Sequence, residues 1–292
     1  MVPNQSARTG RLGRALRLAL GAALLSAVLS GCSTEEALRF GWPKGITPEA
    51  EQMRDLWTGS VVAALVVGVL VWGLIFWVVV RYRKRTDELP VQTRFNLPIE
   101  VLYTVAPFLI IAVLFYYTAI VQTRVNRETT NPDVTIGVVG FKWNWQFRYL
   151  TENDKNGHVV ETTGTSEEVP ILVLPTTKRI RFEERSNDVI HSFWVPDMLF
   201  KRDVIPGRTN SFEVASIDRT GAYVGRCAEL CGTYHAFMNF EVRAVTPDKY
   251  DRYIAARKEG ASTADALRQI GEPPVSQSTH PFDTDRTARK AS

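Results

Sequence analysis

Between residues 227 and 238 the chain reads Cys227-Ala228-Glu229-Leu230-Cys231-Gly232-Thr233-Tyr234-His235-Ala236-Phe237-Met238. Two thiols and an imidazole recur at intervals of four, and a thioether follows three positions later. A second imidazole stands upstream in Ile190-His191-Ser192-Phe193-Trp194-Val195-Pro196. These side chains form a soft donor set: thiolate and thioether favour copper, and imidazole suits it. A lone zinc ion has little use for Met238, and a single copper of the blue type takes one thiolate rather than two. Two thiolates can instead bridge two copper ions, each then taking one histidine. The competing readings are a Cys227–Cys231 disulfide, which an oxidising exterior permits, and a structural zinc site of two cysteines and two histidines. Taken singly, His191 reads as a core histidine and Met238 as packing. His158 and His280 lie in polar sequence and read as solvated.

Such ligands need a rigid frame, and the flanking sequence supplies short strands. Val134, Ile136 and Val138 alternate with smaller or polar residues, and similar runs occur at 171–174, 179–182, 211–214 and 237–245. Pro170, Pro175, Pro196, Pro206 and Gly207 punctuate them. That pattern predicts an all-β sandwich or barrel. The polar segment 151–168 reads as a loop or a long hairpin tip. Residues 251–292 read as a C-terminal tail, largely disordered, with Pro-Pro, Ser, Thr and Gln and little to bury beyond residue 270.

Ahead of the strands lie two membrane-length apolar runs. Residues 59–80 carry no charge, and 22 residues at about 1.5 Å each cover a hydrocarbon core of roughly 30 Å. Residues 97–121 carry one charge, Glu100, and contain Pro107, which predicts a kink. The connecting segment 81–96 holds Arg81, Arg83, Lys84, Arg85 and Arg94 against Asp87 and Glu88. Short loops rich in Lys and Arg stay in the cytoplasm. The two spans therefore form a transmembrane hairpin whose C-terminal domain, from residue 122 to about 250, is exported.

The first 31 residues support the same topology. Arg8, Arg11, Arg14 and Arg17 lead into the apolar stretch 16–29 and then Leu29-Ser30-Gly31-Cys32. A basic start, a short apolar core and small residues read as a secretory signal. The residues before Cys32 resemble a bacterial lipobox, which implies cleavage there, a lipid on Cys32 and an exported segment 32–58. The whole chain has 292 residues and a formal charge of +4. Those four arginines account for it, since the remainder balances 31 basic against 31 acidic residues. A nucleic-acid partner thus loses its electrostatic support. Three cysteines exclude a disulfide-dense scaffold, and no phosphate-cradling Gly-rich loop is present.

Taken together these segments resemble subunit II of the haem–copper cytochrome c oxidases, in a bacterial lipoprotein-like form. The resemblance rests on Glu100-Val101-Leu102-Tyr103-Thr104 with Pro107, on Trp143-Asn144-Trp145-Gln146-Phe147-Arg148-Tyr149, and on the His191 segment. Lys201-Arg202-Asp203, Ile205-Pro206-Gly207-Arg208 and the Cys227–Met238 segment complete it, and it spans roughly residues 50–250. It implies a cupredoxin-like Greek-key domain carrying the binuclear CuA centre. On the family pattern Cys227 and Cys231 bridge both coppers. His191 and Met238 complete one, and His235 with the Glu229 carbonyl completes the other. The Glu229 side chain matches a ligand to magnesium or manganese at the contact with subunit I.

The resemblance also makes Trp143 the point where electrons arrive and Glu100 the mouth of a proton path into subunit I. Electrons come from cytochrome c, free or as a domain of a bc complex, and pass to haem a in subunit I. Subunit III is a further partner, and the site of action is a bacterial plasma membrane. Phe141-Lys142, ahead of the aromatic pair, and Arg226, where many members carry Gln, depart from the family pattern and bear on the choice of donor. A quinol oxidase subunit II lacks the two cysteines, and a nitrous oxide reductase needs a His-rich domain that four histidines cannot supply. A copper-delivery lipoprotein is the alternative of a different class.

Overall fold

A computed structural model of the chain describes residue 36 and residues 39–281. The signal segment 1–31, Cys32 and residues 282–292 lie outside the described residues. Two long helices come first, α1 (Pro48–Arg81) and α2 (Leu97–Val125). Thr47 caps α1 by accepting the Ala50 N–H at 3.1 Å, and Pro48 occupies its first turn. At 34 residues α1 is about 51 Å long, more than a bilayer core requires. Its first three turns precede the uncharged stretch. Both helices pass the length and composition test for crossing a membrane, and no residue of their apolar windows is buried. Apolar side chains exposed on every side of a helix are stable only in lipid.

The rest folds as two five-stranded sheets packed face to face. One sheet has the order β3-β2-β1-β5-β8 and the other β4-β10-β9-β6-β7. The strands are β1 (Val134–Phe141), β2 (Asn144–Asn153), β3 (Val159–Thr163), β4 (Ile171–Pro175) and β5 (Ile180–Ser186). They continue with β6 (His191–Val195), β7 (Phe200–Val204), β8 (Asn210–Val214), β9 (Gly221–Cys227) and β10 (Asn239–Val245). Pairing is antiparallel except for β1 with β5 and β4 with β10. The chain crosses between sheets five times, which locks them together. Along β2 burial alternates, placing Trp145, Phe147 and Tyr149 inside. Phe193 and Phe240 stack across the centre at 4.7 Å, with Phe182 on Phe212 at 4.6 Å. This is the hairpin-plus-sandwich architecture the sequence predicts, and segment 151–168 includes the β2–β3 hairpin tip.

The C-terminal segment corrects the expectation for 251–292. Over its described part the chain forms α3 (Pro247–Lys258) and α4 (Thr263–Gln269), not an unstructured tail. Tyr250, Tyr253, Ile254, Ala266, Leu267 and Ile270 are buried, and Tyr149 meets both tyrosines at about 6.4 Å. Apolar residues three and four apart give α3 a narrow core-facing stripe inside a mostly charged sequence. These helices explain β4, which is buried on both faces. Beyond α4 the chain continues as an ordered strap. Glu241 Oε2 accepts hydrogen bonds from the Gln277 N–H at 2.6 Å and the Ser278 N–H at 2.8 Å. Arg243 donates to the Pro273 and Val275 carbonyls.

Candidate metal centre

One end of the sandwich gathers the sulfur and nitrogen donors. Cys227 ends β9, His191 begins β6, and Met238 directly precedes β10. The β9–β10 pair closes the intervening loop through the Cys227 N–H, which donates to the Met238 carbonyl at 3.2 Å. Cys231 lies inside that loop, and His235 starts a single 3-10 turn. Cys227 Sγ is 3.8 Å from Cys231 Sγ and 3.9 Å from His191 Nδ1. Cys231 Sγ is 3.6 Å from His235 Nδ1 and 3.8 Å from Met238 Sδ. The Glu229 carbonyl stands 3.2 Å from Cys227 Sγ, while its side chain is exposed. Both cysteines are free thiols, not the disulfide of the competing reading. Ligands bound at about 2.0–2.3 Å around one tetrahedral ion stand about 3.5 Å apart. At 3.6–3.9 Å the donors here are spaced so that they could hold a metal ion.

The surroundings orient these groups. Asp188 Oδ1 accepts from His191 Nε2 at 2.8 Å, so Nδ1 faces the sulfurs. Asp188 Oδ2 accepts the Lys142 N–H at 2.7 Å, joining the imidazole to the turn between β1 and β2. A carboxylate behind a ligating imidazole fixes its orientation and raises its basicity. Gly140 leaves room for this packing, since a Cβ there would stand 3.0 Å from the His191 ring. Trp145 is fully buried and donates its indole N–H to the Met238 carbonyl at 3.2 Å. Trp143 sits at the tip of the same hairpin, half-buried, and donates to the Cys231 carbonyl at 3.2 Å. It meets Tyr234 edge-on at 4.9 Å. Gly232, at φ +119°, would clash with that indole if it carried a side chain.

Charge in the cluster is uneven. Burial opposes ionisation of Cys227, but the His191 hydrogen bond and the main chain at Glu229 and Ser192 outweigh it and bring the thiol to about 7. Burial and the neighbouring Cys227 push Cys231 up to about 12. The metal-free pair therefore holds one negative charge readily and a second only when cations arrive to neutralise it. Burial lowers His191, and hydrogen bonds to Cys227 and Asp188 more than offset this, leaving it above its ordinary value.

Of the sequence-predicted residues, His191, Cys227, Glu229, Cys231, His235, Met238 and Trp143 converge on this end. Glu100 lies apart, in the first turns of α2, where its carboxylate accepts the Asn96 N–H at 3.0 Å. His158 pairs with Asp154 in the β2–β3 turn, and His280 is exposed in the strap. Asp188 and the Trp145 contact are additions. The only trace of Asp188 in the sequence is its place three residues before His191.

The fold and the cluster define a membrane-anchored metal-binding β-sandwich of cupredoxin-like architecture. A profile described as the periplasmic domain of cytochrome c oxidase subunit II matches residues 134–245, and one for its transmembrane domain matches residues 35–119. The probable cytochrome c oxidase subunit 2 of Nocardia farcinica is 46% identical, over 97% of this chain and 92% of its own length. The cytochrome c oxidase subunit 2 of Mycobacterium tuberculosis is 46% identical over 95% and 92%. The crystal structure of the periplasmic domain of subunit II of cytochrome oxidase from Bradyrhizobium japonicum is 30% identical, with a TM-score of 0.39, covering 46% of this chain and 100% of that one. The chain belongs to the cytochrome c oxidase subunit II family, and so to an oxidoreductase complex whose C-terminal domain lies outside the cytoplasm.

Proposed function

We propose that this chain receives electrons from a cytochrome c, free or as a domain of a cytochrome bc complex, at a binuclear CuA centre and passes them to haem a of subunit I. Oxygen is reduced there to water while protons are pumped. The donor count carries this reading. Six donors converge: two thiols, two imidazoles, Met238 Sδ and the Glu229 carbonyl. One tetrahedral ion takes four. Two ions would fit this set if both thiolates were shared, with His191, His235, Met238 and the Glu229 carbonyl making up four donors for each. Bound in that way, the copper pair supplies one-electron redox chemistry.

The protein's part is positional. Strand ends hold three of the donors, His191, Cys227 and Met238, and the Cys227–Met238 hydrogen bond closes the loop that carries the other three. Asp188 holds the His191 ring with Nδ1 inward. Trp143 offers an apolar contact for the donor, one hydrogen bond from Cys231. The exposed Glu229 carboxylate is the ligand for magnesium or manganese where subunit I meets this chain. Glu100, at the cytoplasmic end of α2, takes up protons for subunit I, and its capping bond keeps it at the helix start. Subunits I and III are the neighbours in a bacterial plasma membrane. Residues 1–31 are the signal, and Cys32 carries the lipid.

The test is copper content and electron paramagnetic resonance of the purified complex. Two coppers per chain beyond those of subunit I, sharing one unpaired electron, are expected. Cys227→Ser abolishes the shared-electron signal. A single copper with an ordinary blue-copper pattern refutes the reading.

A further inference from the structure

The strap that follows α4 leads to the metal end of the sandwich. It is anchored by design. Glu241 and Arg243 on β10 are fully buried and ion-paired. Glu241 Oε2 takes hydrogen bonds from Ser276 Oγ at 3.0 Å, the Gln277 N–H at 2.6 Å, the Ser278 N–H at 2.8 Å and Ser278 Oγ at 2.9 Å. Arg243 holds the Pro273 carbonyl at 3.1 Å and the Val275 carbonyl at 3.2 Å. A buried carboxylate accepting several donors is a strong, directional tether. From this tether the chain runs to Pro281, which lines a cleft of about 420 Å³ together with Lys142, Trp143, Val169, Tyr234 and Phe237.

We propose that the strap is one wall of the docking surface for the electron-donor protein, so that the haem-bearing donor contacts residues near Pro281 when it covers Trp143. This deepens the reading of Trp143 as the point where electrons arrive, and rests on it. The argument is geometric. Trp143 and Pro281 line one cleft, so a protein that seats an apolar rim against the indole also meets the strap. The family profile of the exported domain ends at residue 245, so this wall lies outside the segment it describes. Trp143, Tyr234, Phe237 and Pro281 give the cleft an apolar side, while Lys142, Asn144, Ser166 and Glu168 make the rest polar; aromatic anchors within a polar surround are the makeup of a protein-docking surface. The wall thereby selects among donors, while the metal ligands set the chemistry.

The experiment uses membranes containing the assembled oxidase, with p-benzoylphenylalanine placed at Pro281 in one strain and at Trp143 in another. Irradiation is expected to give, from both positions, an adduct that stains for covalently bound haem. Pro281→Glu is expected to slow NADH-driven oxygen uptake about fivefold, the effect of losing one good interfacial contact. Copper content and the shared-electron signal of the complex, which need no docking surface, stay at the parental level. A haem-positive adduct from position 143 but none from 281, or unchanged NADH-driven uptake in Pro281→Glu, overturns the strap inference alone. No haem-positive adduct from position 143 overturns the Trp143 reading itself. Loss of copper or of the shared-electron signal in Pro281→Glu shows a folding defect in place of a docking role, and also overturns the strap inference.

Discussion

At the residue scale the two tryptophans of the β1–β2 hairpin divide the work. Trp145 is core, bonded to the Met238 carbonyl, while Trp143 reaches the surface and bonds the Cys231 carbonyl. Replacing Trp143 with alanine is expected to slow electron transfer from the protein donor while leaving the copper spectrum intact. Stopped-flow reduction of the complex checks this, and an unchanged rate refutes the role. Met238 is a soft, weak donor 3.8 Å from Cys231. A weak axial ligand tunes the potential of a thiolate copper site, so Met238→Leu is expected to retain copper and raise the potential. Redox titration of the copper band reads that shift directly. The 4-4-3 spacing of Cys227, Cys231, His235 and Met238 was legible without coordinates because the ligands crowd one loop. Asp188 was not: its job arises only when the β1–β2 turn comes to lie beside β6, and no local pattern announces that contact.

Among elements, legibility followed periodicity. β1 and β2 alternate cleanly, and the membrane helices are uniformly apolar. β7, Phe-Lys-Arg-Asp-Val, and β9, which begins and nearly ends in glycine-rich sequence, have no such alternation and are strands because their neighbours pair with them. α3 and α4 were missed because charge dominates their composition while the buried stripe is only a few residues wide. The strap offers a pH test. Burial alone would raise Glu241, but the Ser278 N–H and Arg243 outweigh it and hold the carboxyl below its ordinary 4.5. A carboxyl so lowered stabilises the fold at pH above 4.5, and that contribution fades as pH falls from there through the folded value. Glu241→Gln is expected to cost about 3–5 kcal/mol at neutral pH, because it leaves Arg243 buried without its partner. It also flattens the acid limb of the stability profile below pH 4.5. Tryptophan-fluorescence unfolding of the detergent-purified chain between pH 3 and 8 (a range chosen to bracket carboxylate titration) measures both effects, and a variant with the parental acid limb refutes the assignment.

Across the whole molecule, function is divided between two media. On the proposed reading the sandwich handles electrons in water, while the helices are apolar on every side and suit lipid. Glu100 belongs to the second medium. A carboxylate near the edge of a span is tolerated where it finds water or protein partners. Its capping bond to the Asn96 N–H explains its position without excluding proton uptake. Glu100→Ala in the assembled oxidase is expected to lower steady-state oxygen consumption severalfold while copper content and copper reduction stay unchanged. Parental turnover would leave Glu100 a helix cap and nothing more. The two sulfurs already face each other at 3.8 Å, and a disulfide needs about 2.05 Å. Wherever such a pair meets an oxidant before metal, closing the gap to a disulfide removes both thiolates from the donor set, and only a reductant restores them.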